Sequence, residues 1–405
     1  MISKGIIEKM YEAASIQRWN DHVRPVNMTE LDKQAHKMVI AYVLGKYEEL
    51  DKGRQIDWIK IIERGFFEFL HRVLMTDIKP PVFHRMMKTK GDSLNEWVLN
   101  QLSNDLEGLR GDLTGRFRQY LTQKDYAGAE KQILRAAHYL ATNWEFRIIY
   151  HASPFIYGIE KTKEAIENQI EDHFELIGVQ KISLQKKSFG FIDLCGQLRF
   201  QKRWANSPRI PETSVLGHML VVGFLAFLCS NNTGACAKRV YNNFFSALFH
   251  DLAEVLTRDI ISPVKRSVEG LESIIQEYEK IELEQRILPL LPTPWHSEMN
   301  YFLQNQFTNR IIEKGVVKEN IPDDQMRTLY NLDKRSPIDG GLIKACDNLA
   351  GFIEAALSIH HGIRSHHLID GVKKSYEDHK GMEASGVNFG QMFEYFYKDC
   401  QPALS

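Results

Sequence analysis

Residues 247–259 read Ala247-Leu248-Phe249-His250-Asp251-Leu252-Ala253-Glu254-Val255-Leu256-Thr257-Arg258-Asp259. An imidazole and a carboxylate stand side by side at the end of an apolar run with helical spacing. Glu254 follows four residues after His250 and three after Asp251, so on a continuing helix all three share one face. A divalent ion held by such a pair lowers the pKa of a bound water, and a nearby carboxylate can take that water's proton. The stretch is therefore a candidate metal site carried on a helix.

Working outward, the chain reads as helical almost throughout. Leu31 to Glu49, Trp58 to Leu74, Gly128 to Tyr150 and Gly270 to Leu291 carry apolar residues at three- and four-residue steps, and alternating strand patterns are scarce. Pro80-Pro81, Pro208 to Pro211, Pro263, Pro289 to Pro294 and Pro337 mark helix stops. The fold class expected is all-α. A chain of 405 residues is long enough for two domains, each with its own core. The Lys- and Gln-rich stretch Val179 to Gly190 is the expected junction, dividing the chain into residues 1–180 and 181–405.

Lys and Arg number 51 against 52 Asp and Glu. That balance provides no global field toward nucleic acid or an anionic membrane, so neither is expected as a partner. The five cysteines, Cys195, Cys229, Cys236, Cys346 and Cys400, are odd in number and form no CxxC pair, which fits buried thiols in a reducing compartment. The longest apolar run, Met219 to Cys229, falls short of the ~20 residues that span a bilayer. Met1-Ile2-Ser3-Lys4-Gly5 carries no signal-peptide pattern. These features together predict a cytoplasmic protein.

The sequence also echoes itself. Ile7 to Trp19 parallels Ile192 to Trp204, each ending in Arg-Trp, and Glu30 to His36 parallels Glu212 to His218. Phe66-Phe67 before His71 mirrors Phe244-Phe245 before His250. Asp77-Ile78 with Pro81 answers Asp259-Ile260 with Pro263. Arg135 to Ala141 matches Lys344 to Ala350, with Glu145 matching Glu354. This order of landmarks predicts two tandem helical bundles arranged as an intrachain pseudo-dimer. The first copy departs where the chemistry would be. His71-Arg72 replaces His250-Asp251, Glu254 falls in a deletion, and His138 replaces Asp347. A cation at Arg72 repels a metal, so none is expected there, although His36, His71 and His138 leave three imidazoles.

In the second copy His218, His250, Asp251 and Asp347 sit within apolar runs, where unpaired polar groups are costly to bury. Shared metal coordination removes that cost. Two imidazoles and two carboxylates suit one divalent transition metal, Co, Mn, Fe, Ni or Zn, without choosing among them. His-rich His360-His361 and His366-His367, with only Asp370 close behind, read as a solvated helix end, and the charged run Glu277 to Arg286 reads as a solvated face.

The segment HDLAEVLTRDIISPVK, the upstream Arg203-Trp204 and the later KACDNLAGFIEA resemble the bacterial 5'-deoxynucleotidase branch of the HD-domain phosphohydrolase superfamily. The resemblance implies an all-helical fold in which His218, His250, Asp251 and Asp347 bind the metal and Glu254 is catalytic. It further implies that Arg203, Trp204 and Asp259 hold phosphate and sugar, and that a nucleoside 5'-monophosphate is the small-molecule substrate. Arg203 offers a fork of donors suited to phosphate, and Lys265 is a further candidate contact. Two features depart from the family: Gly217 precedes His218 where members often carry Glu, and Ser267 to Ser336 contains extra material. Two other readings stand beside the nucleotidase: an HD hydrolase of another phosphorylated metabolite or alarmone, and a regulatory protein whose first copy binds nucleotide through Arg18, Trp19, His36 and Asp77.

Overall fold

The computed structural model describes residues 2–123, 125–258, 260 and 268–404. Helices dominate it: α1 (Lys4–Ser15), α2 (Glu30–Lys52), α3 (Trp58–Met75), α4 (Pro80–Glu107), α5 (Leu113–Thr122), α6 (Gly128–Ala152), α7 (Ile159–Glu171), α8 (Ile177–Ser183), α9 (Lys187–Gln197), α10 (Val215–Asn232), α11 (Ala237–Phe249) and α12 (Glu254–Thr257). After them come α13 (Leu271–Glu282), α14 (His296–Leu303), α15 (Asp323–Thr328), α16 (Gly340–His360), α17 (His366–His379) and α18 (Phe389–Cys400). Two small antiparallel hairpins interrupt this order, β1 (Arg310–Glu313) with β2 (Val316–Glu319), and β3 (Glu383–Ala384) with β4 (Val387–Asn388). The all-α expectation holds, and the extra material before Asp347 supplies α13, a π-helical turn at Leu283–Ile287, α14 and the first hairpin.

Local chemistry sets the helix ends. Thr29 caps α2 by accepting from the Asp32 N–H, Asp57 caps α3 through the Lys60 N–H, and Ser214 caps α10 through the Gly217 N–H, each satisfying a donor the helix cannot. Gly53, at φ 62°, closes α2 by donating back to Glu48 and Glu49. Helix α10 is apolar on every side, and by length and composition it is the one described helix able to cross a membrane. Inside the protein 89% of it is buried, which is where an all-round apolar helix is stable.

Around α10 there is one core. Helix α2 packs against α10 and α3 against α11. Phe66 meets Phe224 at 5.1 Å between ring centroids, and Tyr42 meets Phe245 at 4.9 Å and Phe249 at 5.3 Å. Glu298 accepts from the hydroxyls of Tyr42 and Tyr241, each at 3.0 Å, and pairs with Lys46 at 2.9 Å. The Tyr11 hydroxyl donates to the Ala350 carbonyl oxygen at 2.9 Å. The expected pair of separate cores is thus corrected to a single hydrophobic cluster running through both halves. Likewise the stretch read as a junction is no open linker. It folds into α8 and the start of α9, with Val179 and Ile182 buried against the core.

Two loops share one hydrogen-bond pattern. Arg18 N–H donates to Met28 and Glu30 N–H to Ile16, at 2.8 and 2.9 Å. Arg203 N–H donates to Thr213 and Val215 N–H to Gln201, at 3.1 and 2.9 Å. Trp19 and Trp204 both sit at positive φ, 59° and 57°, a costly backbone region for a bulky residue. Thr29 and Ser214 are then the caps of the helices that follow. Counting on from those caps, Lys33 matches His218. The pairing of His36 with His218 expected from the sequence is therefore out of register by one helical turn.

A buried ion pair fixes the helices that carry the site. Arg239 of α11, fully buried, donates two hydrogen bonds to Asp339, at 2.6 and 2.8 Å. Asn243 adds a third at 2.9 Å and accepts the Asp339 N–H in return. This bidentate lock joins α11 to the N-cap residue of α16, and so sets His250 relative to Asp347.

Candidate metal centre

Three side chains converge where α10, α11 and α16 meet. His218 lies in the first turn of α10, His250 ends α11, and Asp347 lies within α16. One ligand atom from each falls within 4.8 Å of the others. His218 Nε2 is 3.1 Å from Asp347 Oδ1, and His250 Nε2 is 3.9 Å from the same oxygen. His250 Nδ1 is 2.7 Å from the Ala247 carbonyl oxygen. That acceptor assigns the proton to Nδ1 and leaves the Nε2 lone pair facing the cluster. Nε2 is buried and receives no hydrogen bond from a donor. A buried lone pair of this kind, beside a second imidazole and a carboxylate, fits a divalent cation.

The fourth expected ligand, Asp251, stands beside this close group, with Oδ2 3.1 Å from His250 Nε2 and 3.6 Å from an Arg203 guanidinium nitrogen. Burial opposes ionisation of Asp251, yet His250 and Arg203 hold its carboxyl well below the usual carboxylate range. Asp347 behaves alike. Burial raises its pKa, but the bond with His218, then Lys344 at 2.9 Å and His250, outweigh it. Both carboxylates are thereby kept as anions. His218 is pushed the other way: burial and Arg203 disfavour its cation, while Asp347 and Glu354 favour it more, so its pKa is raised.

Glu254 corrects one expectation. The helix bearing His250 does not continue through it. Helix α11 stops at Phe249, residues 251–253 form a turn, and Glu254 opens the four-residue α12. Its backbone N–H donates to Asp251 at 3.0 Å, and the Gln201 side chain donates to its carbonyl oxygen at 3.0 Å. Glu254 is buried, held by the turn and by the loop leading into α10.

Behind the close group lies Glu354, which the sequence marks only as a repeat landmark. Its carboxylate accepts from Trp204 Nε1 at 3.1 Å, from Arg203 Nε at 3.5 Å and from Thr213 Oγ1 at 2.8 Å. His218 Nδ1 lies 3.4 Å away and Arg209 at 3.9 Å. Burial raises its pKa, but Arg203 and Arg209 carry it far below the usual range. One fully buried anion thus holds the Arg203-Trp204 loop and a face of His218. Asp259 and Lys265 lie outside the described residues.

The first half places Lys33, His71, Arg72 and His138 at the corresponding positions. His36 is turned away, its Nε2 2.9 Å from the Ile192 carbonyl oxygen. Burial and Arg199 depress its pKa to about 3. The three imidazoles noted in the sequence therefore do not converge. Among the described residues His218, His250 and Asp347 are the one group spaced to hold a metal.

Gly217, where the resemblance leads one to expect Glu, also has a physical reason. A Cβ there would lie 2.9 Å from Leu31 and 3.0 Å from Asp32 of the first half. The space beside His218 is filled from the other half of the chain.

Comparison with known proteins agrees with this geometry. The family model described as HD domain matches residues 195–376, which contain His218, His250, Asp251 and Asp347. The chain is 30% identical over 139 residues to a 5'-deoxynucleotidase of Vibrio atlanticus, covering 33% of this chain and 69% of that protein. It is 30% identical over 128 residues to a 5'-deoxynucleotidase of Vibrio vulnificus, covering 30% and 64%. A third, from Shewanella oneidensis, is 31% identical over 127 residues, covering 30% and 63%. The chain thus spans about two thirds of the length of these relatives. A matching domain, a relative covered over more than two thirds of its length and a ligand group inside the matched residues lead to one conclusion: this chain belongs to the HD-domain phosphohydrolase superfamily.

Proposed function

We propose that this protein hydrolyses nucleoside 5'-monophosphates, deoxy forms included, to nucleoside and phosphate. The observation that carries the reading is the cluster of His218, His250 and Asp347 with the Arg203 guanidinium beside it, between Asp251 and Glu354. These three residues and Asp251 would hold a divalent transition metal, which would supply Lewis-acid charge and lower the pKa of a nearby water. Co, Mn, Fe, Ni and Zn all suit the donors.

The chain's own groups do the rest. Arg203 turns its fork of donors to the phosphoryl oxygens, at a point where carboxylates alone would repel them. Glu254 takes the proton of the water whose oxygen bonds to phosphorus and returns it to the 5'-oxygen as the phosphorus–oxygen bond to the nucleoside breaks. Trp204, its indole N–H held by Glu354, walls the sugar. Asp259 accepts from the 3'-hydroxyl. The names of the curated relatives support deoxynucleotides as substrates.

The same reading takes the chain as a tandem duplication, with a degenerate HD-like bundle at 1–180 and the metal-binding one at 181–405, joined as a pseudo-dimer. Its support is the matched loop pattern, the two positive-φ tryptophans and the two glutamates that receive them, Glu145 at 2.8 Å from Trp19 Nε1 and Glu354 at 3.1 Å from Trp204 Nε1.

The test is phosphate release from every ribo- and deoxyribonucleoside monophosphate with Mn, Co, Mg or no metal, alongside Asp251→Ala. No release from any of them removes the nucleotidase reading. Release from an alarmone or sugar phosphate instead favours the wider hydrolase class.

A further inference from the structure

The first half repeats the geometry of the metal centre with the opposite charge. Lys33 follows its cap Thr29 as His218 follows Ser214. His71-Arg72 stands as far from the start of α3 as His250-Asp251 from the start of α11, and His138 precedes Glu145 as Asp347 precedes Glu354. Lys33 Nζ contacts His138 Nδ1, as His218 meets Asp347. Two imidazoles and two carboxylates have become two imidazoles, an ammonium and a guanidinium.

The basic side chains of this cluster are not all answered by its carboxylates. Arg18 pairs with Glu30 and Glu145, each at 2.9 Å, and Arg72 shares Glu30 at 3.6 Å while reaching Asp77 at 3.1 Å. Glu68 pairs with Lys37 at 3.0 Å and with Arg64 at 2.9 Å. Lys33, fully buried, has no carboxylate oxygen within ion-pair distance among the described residues. Burial drives its pKa far down, Glu30 opposes, and Arg18, Lys37 and Arg72 lower it further. Nε2 of His71 is also buried without a hydrogen-bond partner. A buried amine crowded by cations, with a bare imidazole nitrogen beside Arg72, is stabilised by an entering anion.

We propose that the cluster of Lys33, Arg72 and His138, with His71 beside Arg72, binds a phosphate dianion without any metal, either inorganic phosphate or the phosphate of a nucleotide. Arg72, 22% exposed in its side chain, is the entry side. The Arg18-Trp19 loop is held by Glu145 as Arg203-Trp204 is held by Glu354. The nucleotide arm of this inference rests on the reading that Arg203 and Trp204 face substrate; the phosphate arm does not.

The test uses the full chain, stripped of metal by chelator and then dialysed. Binding of inorganic phosphate, deoxyadenosine 5'-monophosphate and deoxyadenosine is measured by calorimetry. One phosphate-bearing ligand per chain is expected, retained in Asp347→Asn and weakened about tenfold or more in Lys33→Met and Arg72→Gln, as befits the loss of a charged donor. Arg72 is partly exposed, so its variant keeps the test valid if Lys33→Met does not fold. Tighter binding of the nucleotide than of phosphate assigns the nucleotide arm, and equal binding assigns phosphate. No binding to stripped protein, equal binding of the deoxynucleoside, or binding indifferent to both variants overturns the proposal. Failure of phosphate release in the hydrolysis assay, with metal-free binding intact, would remove the nucleotidase reading alone.

Discussion

His218 Nδ1 lies 3.4 Å from Glu354 Oε1 while its Nε2 lies 3.1 Å from Asp347. One carboxylate therefore orients the imidazole that the other meets across the centre. Glu354→Gln removes the charge behind His218 and opposite Arg203 and Arg209. Metal affinity or activity is expected to fall about 10–100-fold, the usual effect of losing the group that orients a ligand. Stability is expected to fall by about 3 kcal/mol, since the buried Arg209 guanidinium loses its carboxylate partner. Metal titration and a denaturant curve on the same preparation measure both.

Glu254→Gln tests the proposed proton acceptor apart from the proposed ligands. It is expected to lower kcat by about 10²–10⁴-fold, the range for removing a general base, with metal content unchanged. Elemental analysis beside the rate assay decides the role, because loss of metal in this variant would make Glu254 a ligand.

Acid sensitivity is expected to begin near the pKa of free histidine. His36 has its pKa lowered from 6.5 to about 3 and His71 to about 4, in each case by burial first. A depressed group contributes stability that is complete above its unfolded pKa and is lost as pH falls toward the folded value, because the unfolded chain takes up the proton first. Between pH 6.5 and 4.5 His36 alone accounts for roughly 2 kcal/mol, at about 1.4 kcal/mol per unit. Denaturant melts of His36→Gln should show a shallower loss over that interval than the parent. An unchanged slope would mean that His36 titrates normally.

Gly217→Ala is expected to destabilise by about 1–3 kcal/mol through overpacking, since the new Cβ would press on Leu31 and Asp32. Adding Leu31→Ala opens that space, so the double variant should lose less than the sum of the two. A four-member thermal cycle reads the coupling, and strict additivity would show that the two residues do not share the space.

Much of this was legible from residue order. The helical period located α2, α3 and α6, and an imidazole-carboxylate pair ending an apolar run drew attention to His250. Three things were not. No Gly or Pro marks the break after Phe249, since the turn at 251–253 is held by backbone hydrogen bonds and by Gln201, which lies far away in sequence. The register of His36 was misread because a shared residue type outweighed the caps Thr29 and Ser214, which fix where each helix begins. Glu354 reads only as a landmark in the sequence, because its burial and its three hydrogen-bond donors arise only when α16 meets the Arg203 loop. Which apolar face meets which is equally unwritten in a periodic pattern, and hence two cores were expected where the structure has one.

That shared core makes the chain resistant to dissection. Phe224 and Phe245 of the metal-bearing half lie against Phe66 and Tyr42 of the other. Cutting the gene near residue 180 would give two products, each with an open aromatic wound that favours aggregation over independent folding. Calorimetry of the intact chain should accordingly give one melting transition rather than two.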